Sequence, residues 1–173
     1  MKAFIYFVYL FLPFSSYASS IVENRISEAE DYLTVNPAQT LTLLDSIYDK
    51  ESFSEEQFIR WHLIRMRAAV PTNQLDKLSE SLETVFHHKQ HPYFKAHLTS
   101  FLSGVGIYLR KKQFLADAQK SLECAYKYAQ NEKQRLTLTN SLALVARQQS
   151  DYDSARLLYK KARVLAVETN RES

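Results

Sequence analysis

Glycine is almost missing from this chain and proline is scarce: two Gly and four Pro stand among 173 residues. Gly adopts positive φ at no steric cost, so few turns are expected to use that conformation, and tight hairpins are excluded as a building theme. Pro interrupts helices, and its scarcity leaves room for long ones. There is one cysteine, Cys124. A lone Cys makes no internal disulfide, so packing alone must hold the fold. A charge of one dominant sign is missing too. Twenty-two Lys and Arg against nineteen Asp and Glu leave a net +3, too weak a balance to point to nucleic acid. No Gly-rich phosphate loop, Cys-x-x-Cys, His-Glu-x-x-His or Gly-x-Ser-x-Gly occurs. With no acid–base or nucleophile arrangement visible, the chain is not read as an enzyme or as the holder of a cofactor.

No apolar run approaches the roughly 20 residues that a spanning helix needs. The longest, Ala3 to Leu12, follows Lys2 and ends at Pro13 and small polar residues. Ser16-Tyr17-Ala18 offers small residues at the two positions a signal peptidase reads. This is the layout of a secretory signal peptide over residues 1–18, with an uncleaved N-terminal anchor as the alternative. No Cys lies near the cleavage point, which excludes a lipoprotein. The expectation is an exported protein, in a bacterial periplasm, with residues 19–173 as one domain. Loss of Lys2 leaves 21 basic and 19 acidic residues, close to +2.

What remains is rich in Leu, Ala, Lys, Glu, Gln and Arg, all good helix formers, and its apolar periodicity is helical almost throughout. An all-α fold is expected. Breaks fall at Asn36-Pro37, Pro71-Thr72-Asn73, His91-Pro92 and Gln149-Ser150-Asp151. Between them the spacing predicts helices at about 21–35, 37–49, 54–70, 74–88, 92–112, 115–130, 132–149 and 152–169, four pairs in all. Ser54 with Gln57 three residues on has the form of a capping box.

The pairs repeat. Ala155, Tyr159 and Ala162 are spaced by four and seven, and the same offsets give Ala118, Leu122 and Ala125, then Leu78, Leu82 and Val85, then Thr40, Leu44 and Ile47. The lead positions 40, 78, 118 and 155 are 38, 40 and 37 residues apart. Twelve residues before Ala118 and Ala155 stand Gly106 and Ala143, small residues that let two helices approach closely. Trp61, Tyr126, Tyr128 and Tyr159 are expected to fill the core or the seams between repeats.

These residues resemble the tetratricopeptide repeat. That family places a small residue at its eighth position, Ala at its twentieth, a large apolar residue at its twenty-fourth and Ala at its twenty-seventh. The match is good over roughly 98–166 and degenerate over 21–90, where Thr40 and Leu78 replace Ala; the longer period is similar to that of the looser bacterial relatives. The resemblance implies a right-handed α-solenoid of about four antiparallel helix pairs, with repeats near 21–50, 54–88, 92–130 and 132–169. It also implies a non-catalytic module that binds a protein or peptide, as a scaffold or as a sensory region like those of bacterial diguanylate cyclases and sensor kinases, either stand-alone or truncated. In that family the first helix of each pair lines a concave groove. The groove offsets here are Ser103, Ile107, Arg110 and Lys111 in the third pair and Asn140, Leu144, Arg147 and Gln148 in the fourth. Arg110 and Arg147 share one offset and suit an acidic or C-terminal segment, because Arg grips a carboxylate with two parallel bonds.

Two further features are open. His87, His88 and His91 lie close together with His97 nearby, and the four-residue spacing of His87 and His91 suits a metal on a helix. Metal or small-ligand binding through this cluster is the alternative function, although Pro92 ends the helix beside it. The last helix carries Leu157, Leu158, Val164, Leu165 and Val167, more apolar surface than one side can bury, which points to self-association.

Overall fold

A computed structural model describes the backbone of residues 12–48 and 50–172, and the surroundings of the side chains at 21–48 and 50–169. The described residues are all-helical, with no strand among them. The helices are α1 (Leu12–Asp31), α2 (Pro37–Asp45), α3 (Glu55–Ala69), α4 (Leu75–His87), α5 (Pro92–Ala96), α6 (Leu98–Lys111), α7 (Leu115–Lys127), α8 (Glu132–Gln148) and α9 (Tyr152–Glu172); a 3-10 turn spans Lys50–Ser52. None is long and apolar enough to cross a membrane.

Local chemistry explains most boundaries. Asn36 accepts a hydrogen bond from the Gln39 amide, and Pro37 follows at a position where a missing N–H costs nothing. The capping box at α3 is complete. Ser54 Oγ accepts from the Gln57 amide while Gln57 Oε1 accepts from the Ser54 amide. Asn131 caps α8 and Asp151 caps α9 in the same sense.

Three differences from the periodicity stand out. α1 starts at Leu12 rather than near residue 21, and residues 1–11 of the expected leader lie outside the described residues. α2 ends at Asp45, four residues early, because the Ser46 hydroxyl donates to the Leu43 carbonyl at 2.6 Å and competes with the continuing ladder. The expected helix at 92–112 is two, α5 and α6, broken at His97, whose φ of −107° and ψ of 18° leave the helical well. The break has a packing reason. In one straight helix Phe94 and Phe101 would stand about 10 Å apart along the axis, but here their ring centroids are 5.0 Å apart, with Phe86 of α4 stacked on Phe101 at 6.1 Å.

The chain divides into two compact units, Met1–Lys77 and Leu78–Ser173. In the first, α1 packs on α2, α2 on α3, and α1 also reaches α3. Its core holds Ile26, Ala29, Leu44, Trp61, Ile64 and Ala68, among others. Thr40 stands where the later pairs have Leu78, Ala118 and Ala155, and its hydroxyl is satisfied by the Ala29 carbonyl at 3.0 Å. Trp61 Nε1 donates to the Leu44 carbonyl at 3.1 Å. Arg60 of α3 clamps α1: one terminal nitrogen meets Glu23, while the other and Nε reach Glu30 at 2.7 and 3.1 Å. Burial works to lower the Arg60 pKa, but the hydrogen bonds and charges of Glu30 and Glu23 outweigh it and raise the value, so this guanidinium stays cationic.

In the second unit α6 packs on α7, α7 on α8, α8 on α9, and α6 also reaches α8. The core joins Ala118, Leu122 and Ala125 of α7 to Leu138 and Val145 of α8, with Leu102 and Leu109 of α6 beside them. Gly106 is buried against α7: an added Cβ would stand 2.6 Å from Leu122 Cγ. Ser121 donates to the Leu102 carbonyl and Thr99 to the Tyr128 carbonyl, so polar side chains also stitch α6 to the α7 segment.

The turns contradict the inference from scarce glycine. Asn73, Gln113 and Ser150 all adopt positive φ, at 56°, 68° and 64°. Each ends a helix with the same two bonds. The amide after it reaches back five residues (Gln74 to Ala69, Phe114 to Leu109, Asp151 to Ala146), and its own amide reaches back three (to Val70, Arg110 and Arg147). This is the Schellman arrangement, built without Gly. The three residues sit five positions before Leu78, Ala118 and Ala155, so the backbone repeats in step with the side-chain pattern.

Candidate interaction surface on the second unit

Ser103, Ile107, Arg110 and Lys111 lie on α6 and are half-buried. Asn140, Leu144, Arg147 and Gln148 lie on α8; Leu144 is half-buried and the other three are exposed. The structure brings two of the eight together directly: Arg110 Nη1 donates to Gln148 Oε1 at 3.4 Å, across the α6–α8 seam. Among the described residues the Nε of Arg110 is buried and has no hydrogen-bond partner, a condition that favours an acceptor from outside. Leu63, at the corresponding offset of α3, is buried instead, and Arg67 lies 4.0 Å from Glu30. The degenerate second pair therefore presents a different face.

Arg147 borders an open hollow of about 450 Å³ on α9, lined also by Tyr152, Ala155, Arg156, Tyr159, Lys160 and Arg163. Four cations and no carboxylate line it. Arg156 pairs with Asp153 at 3.2 Å in full exposure, a contact worth little in water. Arg147, Lys160 and Arg163 make no ion pair among the described residues. In the sequence α9 stands out for its apolar residues, as a self-association surface, rather than for these cations. The usable signal was Arg156, Lys160 and Arg163 at spacings of four and seven, which puts three cations on one helix stripe.

The aromatic expectations divide. Trp61 is buried and Tyr126 packs beside the core, with Lys161 of α9 over its ring at 4.7 Å. Tyr128 and Tyr159 are not core residues; they are 53% and 38% exposed. Tyr128 sits just past the end of α7, as its C-terminal cap. Tyr159 points into the hollow. Leu157, Val164 and Val167 of α9 are exposed as well, whereas Leu165 is buried.

His87, His88 and His91 do not converge. His91 caps α5 through Nδ1, which accepts from the Tyr93 amide at 3.2 Å. The His97 ring stacks on Tyr93 at 4.0 Å. Among the described residues no group of three or more His, Cys, Asp or Glu is placed to share a metal ion. Cys124 is half-buried and free. Compared with known proteins, the chain matches no family model, no curated protein and no solved structure. Its functional reading therefore rests on its own residues.

Proposed function

We propose that the chain is a non-catalytic, exported helical-repeat module of the tetratricopeptide type, which binds a protein or peptide on the α6–α8 face. The repeat reading is supported by the three equivalent turns at Asn73, Gln113 and Ser150. It is also supported by the burial of every lead and +7 position, from Thr40 and Ile47 to Ala155 and Ala162. Antiparallel pairing is supported by contacts that run in opposite chain order: Thr99 with Tyr128, Leu102 with Ser121, Gly106 with Ala118 and Leu122. In a stack of such pairs each first helix neighbours the next first helix, as α6 neighbours α8.

The observation that carries the binding role is the Arg110–Gln148 contact. It sets an Arg with an unused, buried Nε beside a side-chain amide, on two helices that repeat one another. Guanidinium and amide together suit a peptide carboxylate and its backbone. The test is an affinity capture from periplasmic extract with the wild-type chain and with an Arg110→Ala, Asn140→Ala double variant. The expected result is a partner retained by the wild type and lost from the variant, with both melting alike. Equal retention by both would remove the α6–α8 face from binding.

A further inference from the structure

The hollow on α9 has an internal counterpart that shows what kind of element fits it. Thirty-seven residues earlier, its lining positions Tyr152, Ala155, Arg156, Tyr159, Lys160 and Arg163 correspond to Leu115, Ala118, Gln119, Leu122, Glu123 and Tyr126 of α7. That face of α7 is covered. Leu115, Ala118, Leu122 and Tyr126 share a core with Leu102 and Leu109 of α6 and with Leu138, Leu142 and Val145 of α8; Gly106 of α6 stands against Ala118 and Leu122, and Gln119 accepts a hydrogen bond from Gln149 just after α8. On the α8 side the cover offers apolar side chains at spacings of four and seven. Leu122 is fully buried, while Tyr159 at the same place is 38% exposed. The α9 face keeps the shape of a helix seat and changes its charge: Gln119, Glu123 and Tyr126 become Arg156, Lys160 and Arg163, with Arg147 beside them.

We propose that this face is the docking site for an acidic amphipathic α-helix of a partner protein. The helix would lay apolar residues at i, i+4 and i+7 over the exposed rings of Tyr152 and Tyr159 and set carboxylates against Arg147, Arg156, Lys160 and Arg163. This is the helix-in-groove mode of recognition, and the cations select the partner by charge complementarity. A second copy of the chain fits less well, because it is cationic overall. The inference rests on the stacked-repeat reading of α6–α9 and adds a surface distinct from the α6–α8 face.

The probe is a synthetic helical peptide with Leu at i, i+4 and i+7 and Glu on both flanks, titrated into the full chain by fluorescence anisotropy. Binding is expected to weaken with added salt. It is also expected to become about tenfold weaker or more in a Lys160→Glu, Arg163→Glu variant. Those side chains pair with nothing described, and Glu keeps the helix, so circular dichroism should match the wild type. Should that variant melt early, Tyr159→Ala supplies the same readout, and amide exchange on the wild-type chain must show protection along α9 when the peptide binds. Equal affinity for a Lys-flanked peptide would overturn the proposal. So would tighter binding of single-stranded DNA or anionic vesicles, or self-association of the wild type that the charge reversal abolishes. Loss of the peptide from the Arg110→Ala, Asn140→Ala variant would move it to the α6–α8 face, which overturns this inference and leaves the proposed function standing.

Discussion

A Cβ added at Gly106 would meet Leu122 Cγ at 2.6 Å and Cδ2 at 2.8 Å, with the Ala118 carbonyl at 3.2 Å. Two carbons prefer about 3.5–4.0 Å, and Leu122 is wholly buried and has nowhere to retreat. Gly106→Ala gains about 1 kcal/mol in helix propensity but must force α6 away from α7, at about 1–3 kcal/mol. The expected outcome is a net loss of about 1 kcal/mol, read as a lower denaturant midpoint at unchanged slope. The recurrence of a small residue at Gly106 and Ala143 marks a close-approach point in the sequence itself, because a small residue recurring on a helix face has few other uses. Asp151 gives a pH-dependent case. Hydrogen bonds from the Ser154 side chain and amide hold its carboxyl below the ordinary value. The carboxylate cap therefore contributes above the unfolded value of about 3.9 and is lost as pH falls through the lower folded value. Acid titration of α9 helicity should show this loss in the wild type, and Asp151→Asn should remove that dependence while keeping the cap.

At the scale of elements, the three Schellman turns make a graded prediction. Positive φ strains a side chain with a Cβ by roughly 1–2 kcal/mol, and Asn tolerates it better than Gln. Gln113→Gly should therefore stabilise the protein by about 0.5–1 kcal/mol after the added chain entropy of Gly, while Asn73→Gly should change little. Paired thermal melts check the order; an equal effect at both sites would show that the turns are unstrained. Helix ends carried by Asn36-Pro37, Ser54 with Gln57, and Pro92 were legible because each is a local bond or a missing N–H. The turn conformations were not, since Gln113 and Ser150 have no intrinsic preference for positive φ and take it only because the helices on either side are packed. The break at His97 was hidden for the same reason. The apolar periodicity runs straight through it, and the contact of Phe94 with Phe101 decides it.

For the whole molecule, the chain divides into two compact units, Met1–Lys77 and Leu78–Ser173, each with core residues of its own. The single Trp, Trp61, is buried in the first unit, and Gly106 belongs to the second. In Gly106→Ala the midpoint from far-ultraviolet dichroism, which senses all helices, should fall further than the midpoint from Trp61 fluorescence. Coincident shifts would mean that the chain unfolds as one cooperative body.

By itself the sequence determined the helical class and most helix ends, because propensity, capping and burial period act over a few residues and leave their mark on neighbouring letters. It also set the small residue at 106 and the cations at 110 and 147. Which surfaces stay open was decided only in three dimensions. Arg147 and the α9 stripe face a hollow because α8 covers α7 and no described helix covers α9 in the same way. Tyr159, identical in spacing to the buried Leu122, stays 38% exposed on that open face. Burial belongs to the partner of a helix face, and that partner lies tens of residues away or on another molecule.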